Sequence, residues 1–358
     1  MLRPRTIPLL LALLPALSGC HHLGPKTVAV DRYDYSAAIA DSWKQQTLLN
    51  IVKLRYMDLP VFVDVASIVS GYSLQTGVSV GGTLSSSSAI NGSFGTLGGQ
   101  AIYTDRPTIT YVPMTGEKFL RGLITPIDPK NVFFMLQSGY PADFLLGLTV
   151  ESLNGVRNRS VNGGVMRDAD PEFIQALELM REIQLAGAIG MRVEQVRTNS
   201  SVAMVFFRDS DVAPEILEKE NQVRRLLNLT PGRQRFILNY SPIRGAEGEM
   251  AVNSRSLLQI MQAFSSYIDV PEDHRRDQSA FPTLETSAPH SRPDPVRIHS
   301  GREKPTNAFA SVQYRDHWYW VENSDWKTKR ALTAVMFFFT LTDAGSSEKL
   351  PLVTIPAQ

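Results

Sequence analysis

Apolar and polar positions recur along this chain with two different periods, and the period in each stretch predicts its element. From Ser36 to Tyr56, Ile39, Trp43, Ile51 and Leu54 return at helical spacing, while Asp41, Lys44, Gln45 and Lys53 fall largely elsewhere. This predicts an amphipathic helix. Pro60 stops it, and Val61 to Val65 alternates like a strand, with Asp58 and Asp64 flanking. From Ile68 to Leu84 the even positions are Ile68, Ser70, Tyr72, Leu74, Thr76, Val78, Val80, Gly82 and Leu84, and the odd ones are mostly Gly, Ser, Gln and Thr. Period two over that length predicts a long strand. Ser85 to Ser88 and Asn91-Gly92 supply turn chemistry, and Phe94 to Tyr111 returns with alternation interrupted by Gly95, Gly98 and Gly99. The expected product is a Gly/Ser-rich hairpin over 68–104.

Thr115-Gly116-Glu117 opens a helical piece through Leu123, which Pro126 and Pro129 break. Asn131 to Gln137 and Pro141 to Val156 read as apolar helices that form core. Asp170-Pro171-Glu172 is a helix start, with a capping Asp, Pro at the first helical position and an acid in the first turn. Two units of similar order follow. In the first, Met191 to Arg197 and Val202 to Arg208 pair, Pro214 to Leu229 is a charged helix, Arg233 to Tyr240 is a strand, and Ser254 to Tyr267 adds a helix. In the second, Ala308 to Arg315 and Trp318 to Glu322 pair, Ser324 caps a helix to Thr342, and Leu350 to Ile355 closes. Between them, Glu272 to Asn307 carries Pro282, Pro289, Pro293, Pro295 and Pro305 and reads as an extended linker or excursion. The fold class is α+β, mixed helices and antiparallel strands. The divisions expected are 1–19 a signal peptide, 20–33 a tether, 34–160 a helical region with the hairpin, 161–271 an α+β domain, 272–307 the linker and 308–358 a β-β-α-β unit.

Composition narrows function by exclusion. The chain has 358 residues, 36 basic against 35 acidic, 43% hydrophobic, with one cysteine. Near-neutral charge gives no general attraction to nucleic acid, and none is expected as a partner. One cysteine closes no intramolecular disulfide and builds no Cys-rich metal cluster. Arg3 and Arg5 precede an apolar run from Ile7 to Leu17, and Leu17-Ser18-Gly19-Cys20 ends it. A run of about 11 residues is a secretion signal, too short for a helix to span a bilayer. The stretch Leu17-Ser18-Gly19-Cys20 resembles the lipobox of bacterial lipoproteins. That resemblance implies cleavage before Cys20, a thioether-linked diacylglycerol on its sulfur and acylation of its new amine. His21, where an Asp would favour the inner membrane, implies the outer membrane, periplasmic face. Several acyl chains on one residue give stable anchoring.

Catalytic signatures are sparse. No Gly-x-x-x-x-Gly-Lys loop, His-Glu-x-x-His pair or Gly-x-Ser-x-Gly elbow occurs, so no catalytic, cofactor or metal residue is assigned and no cofactor is expected. Ser324-Asp325-Trp326-Lys327 has Ser-x-x-Lys spacing, which a helix N-cap explains better. Asp168 with Asp170, and Asp209 with Asp211, read as caps. His274, His290 and His299 lie in the linker at spacings that form no local metal site. Val335 to Phe339 reads as buried core rather than membrane contact. Trp318 and Trp320 could stack on sugar rings, although alternation on a half-buried strand explains them as well. In the hairpin, Tyr72, Leu74, Val78 and Val80 have the alternation and length of a transmembrane β-strand. One hairpin has open edges and cannot exist alone in lipid, so that reading requires a ring of subunits donating hairpins to one barrel. A soluble hairpin or loop is the competing reading.

Several stretches resemble a family of uncharacterised proteobacterial lipoproteins: Leu49-Asn50-Ile51-Val52-Lys53-Leu54-Arg55-Tyr56, Arg106-Pro107-Thr108-Ile109-Thr110-Tyr111, and Ser254-Arg255-Ser256-Leu257-Leu258 with Val270-Pro271. The resemblance implies lipidation and supplies no activity. The expectation is an outer-membrane-anchored periplasmic lipoprotein with a structural or envelope-assembly role, forming a homo-oligomer or meeting an envelope protein partner. A binding module for envelope glycan or polymer is the alternative, and a hydrolase is a third class.

Overall fold

A computed structural model describes residues 23–69, 71–83, 94–162, 165–197, 200–208, 210–280 and 296–342. Cys20 and its lipobox lie outside them, as do Asp209, His290 and the closing strand expected at Leu350 to Ile355. The class is α+β. The chain divides into two units, one holding 63–113 with the start of the first helix, the other holding 42–62 and 114–348.

Helix α1 (Leu23–Arg55) begins in the first unit, well before Ser36. The expected tether over 20–33 is corrected in this respect: from Leu23 it is helix. Pro25 does not prevent this, because the first-turn N–H groups have no intrahelical partner to lose. Strands β1 (Phe62–Val69) and β4 (Thr108–Met114) form a two-stranded sheet, and β2 (Tyr72–Thr83) and β3 (Phe94–Asp105) form another. The hairpin is therefore 72–105 and not 68–104, since Ile68 and Val69 belong to β1. Alternation continues across the junction, whereas the hydrogen-bonding partner changes there. The Arg106 N–H donates to the Gly71 carbonyl at 3.0 Å and closes the base of the hairpin. On the return, Pro107 lacks an N–H and separates β3 from β4.

The second unit is built on α2 (Glu117–Ile124), α3 (Pro129–Gln137), α4 (Ala142–Thr149), β5 (Val150–Leu153), β6 (Val156–Arg157), the short pair β7 (Ser160–Asn162) and β8 (Val165–Arg167), α5 (Pro171–Leu185), β9 (Ile189–Arg197), β10 (Ser200–Phe207), α6 (Pro214–Leu226), β11 (Arg235–Tyr240), β12 (Glu249–Ser254) and α7 (Leu257–Ser265). One sheet runs in the order β6-β5-β12-β11-β10-β9, antiparallel except between β11 and β12. The helix expected over Pro141 to Val156 ends at Thr149. Asn154 and Gly155 both take positive φ, 49° and 88°, and make the two-residue turn between β5 and β6. Asn-Gly between apolar residues is a strong hairpin signal that helical hydrophobicity masks. Asp170 does not cap α5 with its side chain; its Oδ2 accepts from the Arg157 N–H at 2.7 Å.

The proline-rich stretch is structured where it is described. It holds α8 (Glu272–Arg276) and β13 (His299–Gly301), with Ile298 fully buried just before the strand. Strands β14 (Ala308–Tyr314) and β15 (His317–Glu322) complete a sheet in the order β13-β15-β14. The expected extended linker over 272–307 is corrected accordingly: an apolar residue among prolines supplies the burial that fixes it. Helix α9 (Trp326–Thr342) follows, capped by Asp325 and not by Ser324; Asp325 Oδ1 accepts from the Lys327 and Thr328 N–H groups at 3.1 and 3.0 Å. Val335, Phe338 and Phe339 are buried, with Phe339 packed against the rings of Phe62 and Trp43, whereas Phe337 in the same run, expected as core, is exposed. One apolar cluster runs through the whole second unit, so the segments expected as separate domains at 161–271 and 308–358 share a core. Among the described residues no helix is long and apolar enough to cross a membrane.

Candidate functional site

The β2–β3 hairpin pairs all 12 residues of β2, from Tyr72↔Asp105 to Thr83↔Phe94. Directly opposite residues in an antiparallel pair share a face, and successive residues alternate faces. The register therefore sorts the hairpin into two faces. One holds the positions Tyr72, Leu74, Thr76, Val78, Val80, Gly82, Gly95, Leu97, Gly99, Ala101, Tyr103 and Asp105. The other holds Ser73, Gln75, Gly77, Ser79, Gly81, Thr83, Phe94, Thr96, Gly98, Gln100, Ile102 and Thr104. The first is apolar at Leu74, Val78, Val80, Leu97, Ala101 and Tyr103 and carries Asp105 opposite Tyr72 at its base; the second is polar except at Ile102 and Phe94. Val78 and Val80 are 77% and 80% exposed. Among the described residues neither outer edge pairs with a further strand. The positions singled out by alternation, Tyr72, Leu74, Val78 and Val80, thus fall on one face of one ribbon, and the register adds Leu97 and Tyr103 from the returning strand.

A second constellation lies within the second unit, and no local motif announces it. Tyr56 follows α1, Asp273 and His274 sit on α8, and His317 and Tyr319 point inward from β15, where burial alternates with Trp318 and Trp320. The turn Arg315-Asp316 takes positive φ at both residues, 46° and 63°, which sets His317 at the start of β15. The Tyr56 hydroxyl is 2.7 Å from His274 Nδ1 and hydrogen-bonds the Tyr319 hydroxyl. His317 Nδ1 donates to the Arg315 carbonyl at 3.2 Å, which leaves its Nε2 facing Asp273 Oδ1 at 3.6 Å. Asp273 Oδ2 accepts from Arg302 at 2.9 Å. The donor atoms of Asp273, His274 and His317 all lie within 4.8 Å of one another.

Electrostatics shift three groups here, Tyr56, Tyr319 and Asp273. Burial pushes both phenols above their ordinary range; for Tyr56 the hydrogen bond from Tyr319 and the charges of Arg315 and Arg55 offset it in part. Both tyrosines are neutral near pH 7. At Asp273, loss of solvent raises the carboxyl, but His317, His274 and local backbone hydrogen bonds prevail and hold it below the usual carboxylate range. The Arg315 guanidinium lies 4.9 Å from the Tyr56 ring and bridges to Asp58 at 3.4 Å, while the Tyr314 hydroxyl donates to the same carboxylate. The loop after α1 is thereby fixed to the β14–β15 turn.

Trp318 and Trp320 occupy the half-exposed face of the small sheet. Trp320 stacks with His299 at 5.5 Å, and Lys304 lies 5.3 Å over Trp318, so each ring already has one neighbour. Ser324 hydrogen-bonds Glu322, and Lys327 contributes its backbone N–H to the cap. The expectation that His274 belongs to a solvated linker is corrected, because long-range folding brings His317 beside it, with ring centroids 4.8 Å apart. His317 opens an alternating strand and gives no local signal. No protein-family model, no curated protein and no solved structure matches the chain.

Proposed function

We propose that the protein is a periplasmic lipoprotein, tethered to the outer membrane through Cys20, with a structural or envelope-assembly role, and that copies of it contribute their β2–β3 hairpins to one closed membrane barrel. The observation that carries this is the register of the hairpin, which gathers Leu74, Val78, Val80, Leu97 and Tyr103 on one face and Ser73, Gln75, Ser79, Thr96 and Gln100 on the other, with Asp105 and Phe94 as the exceptions at its two ends. Twelve residues at roughly 3.3 Å each extend about 40 Å, or about 30 Å along the membrane normal at a tilt near 40°. A hydrocarbon core is about 30 Å thick. The tyrosine positions at one end suit an interface. In lipid the unpaired edges would cost several kcal/mol per backbone group, which only ring closure removes. The lipobox at Leu17-Ser18-Gly19-Cys20 keeps every copy at the membrane surface.

The test is the mass of detergent-extracted, lipidated protein by light scattering. The wild type is compared with a variant in which residues 77–100 are replaced by Asn-Gly, so that Thr76 and Ala101 flank a two-residue turn. A closed ring that the short variant fails to form supports the assembly role. A monomer in both cases overturns it.

One observation favours a second reading, a binding module for envelope glycan or polymer: Trp318 and Trp320 are half-exposed side by side on one sheet face. Tryptophan fluorescence titrated with glycan fragments, and its loss in Trp320→Ala, distinguishes this reading.

A further inference from the structure

Asp273, His274 and His317 have the chemistry and spacing of a metal site, and the cluster is independent of the hairpin. Two imidazoles and one carboxylate make an N2O donor set, which suits zinc and other borderline divalent ions. Donors bound to zinc at 2.0 to 2.2 Å and near-tetrahedral angles stand about 3.4 Å apart. His317 Nε2 and Asp273 Oδ1 are 3.6 Å apart, too far for a hydrogen bond and close to that edge length. The widest separation in the trio is 4.8 Å, so closing on an ion requires a shift of about 1.4 Å. Asp273 and His274 lie together on the short helix α8, so the shift falls on one segment.

The surroundings are those of ligands already oriented. His317 is buried, and its Nδ1–H is held by the Arg315 carbonyl, which turns Nε2 toward Asp273. Asp273 has Oδ2 fixed by Arg302 and Oδ1 turned to the cluster. The Tyr56 hydroxyl fixes the His274 ring through Nδ1. Packing of two rings accounts for their edge-on contact, and Nε2 of His317 and Oδ1 of Asp273 face each other at 3.6 Å, an arrangement that an ion pair or two ligands of one cation would both give.

We propose that Asp273, His274 and His317 bind one zinc-class divalent cation, with the fourth position open to water and with Tyr56 as a positioning residue. The ion would join three segments far apart in sequence: the end of α1 through Tyr56, the proline-rich stretch through α8, and the small sheet through β15.

The experiment is zinc titration of the full lipidated chain after chelator treatment, by calorimetry, with cobalt substitution as a spectroscopic check. One ion per chain is expected, with the intense visible absorption of tetrahedral cobalt. His274→Gln and Asp273→Asn, whose side chains are partly exposed, should each weaken binding at least tenfold while leaving the melting temperature in chelator unchanged. Tyr56→Phe should weaken it by about tenfold. A variant with His21→Ala and His22→Ala, which removes the histidines beside the lipid anchor, should bind as the wild type does. Absence of saturable binding below about 100 μM would overturn the proposal. So would wild-type affinity in both His274→Gln and Asp273→Asn.

Discussion

Val78 and Ser79 are neighbours in sequence on opposite faces of the β2–β3 ribbon, and exchanging each for arginine separates the membrane reading from a soluble hairpin. Val78 is the seventh of the 12 residues of β2, opposite Gly99, and so would stand near the bilayer midplane. In the unassembled chain it is 77% exposed, and Val78→Arg should change folding stability by less than about 0.5 kcal/mol. On the lipid face of a barrel, the same change costs roughly 2 to 4 kcal/mol per copy near the midplane. That corresponds to roughly 30- to 700-fold in the insertion equilibrium of each subunit. Ser79 lies opposite Gly98 on the polar face, where Ser79→Arg would meet a water-filled lumen and cost close to nothing. The assay is protease protection of residues 72–105 in proteoliposomes, with the lipid anchor intact in every variant. Loss of protection in Val78→Arg but not in Ser79→Arg is expected. Equal behaviour of the two variants, or greater harm from Ser79→Arg, would refute the reasoning.

Three predictions concern the scaffold of the second unit. Asn154 is 3% exposed, donates through Nδ2 to the Leu227 and Asn228 carbonyls at 2.8 and 3.1 Å, and accepts from the Gly245 N–H at 2.8 Å; Asn154→Ala should cost about 3 to 4 kcal/mol in urea unfolding, and Asn154→Gly about 1 kcal/mol less because φ is positive. A cost below about 1 kcal/mol for the alanine would contradict the assignment of these bonds. Glu220 and Arg224 form a buried pair on α6 at 3.1 Å, with Arg224 also donating to the Arg233 carbonyl. Glu220→Ala should therefore destabilise by about 3 to 5 kcal/mol, read as a fall in urea midpoint. Asp316 is exposed at positive φ in the β14–β15 turn, so Asp316→Gly should raise stability by up to about 1 kcal/mol without altering zinc affinity. A loss of stability there would mean that the aspartate side chain, and not the backbone, holds the turn.

Much of the architecture is legible in periodicity, and the departures share a cause. Period-two alternation locates β2, β9, β10, β14 and β15 because each has one face that is more buried or more apolar than the other. It does not reveal where a strand changes partner, so the change between Val69 and Tyr72 leaves no mark in the pattern. Strand β12 escapes because it is central and buried along most of its length, where alternation fades. The turn signal of Asn154-Gly155 is overridden by the helical hydrophobicity of its neighbours. The faces of the hairpin are legible in the sequence, since they depend only on alternation, whereas the pairing that aligns Leu74 with Tyr103 and Val80 with Leu97 requires the structure. The Asp273, His274 and His317 cluster is not legible at all. It forms through tertiary packing of α8 on the small sheet, and its two histidines come from segments that the sequence pattern assigns to different parts of the fold.

Closure of the hairpins into a barrel is tested most directly by amide hydrogen exchange of residues 72–83 and 94–105 in detergent-extracted, lipidated protein. In an isolated two-stranded ribbon, alternate N–H groups point outward from each strand and find only water. In a closed barrel every strand has a neighbour on both sides, and those groups are paired. The account predicts protection of both the inward and the outward amides along β2 and β3. Protection of alternate amides alone, with the outward set exchanging at the rate of unstructured peptide, would contradict it.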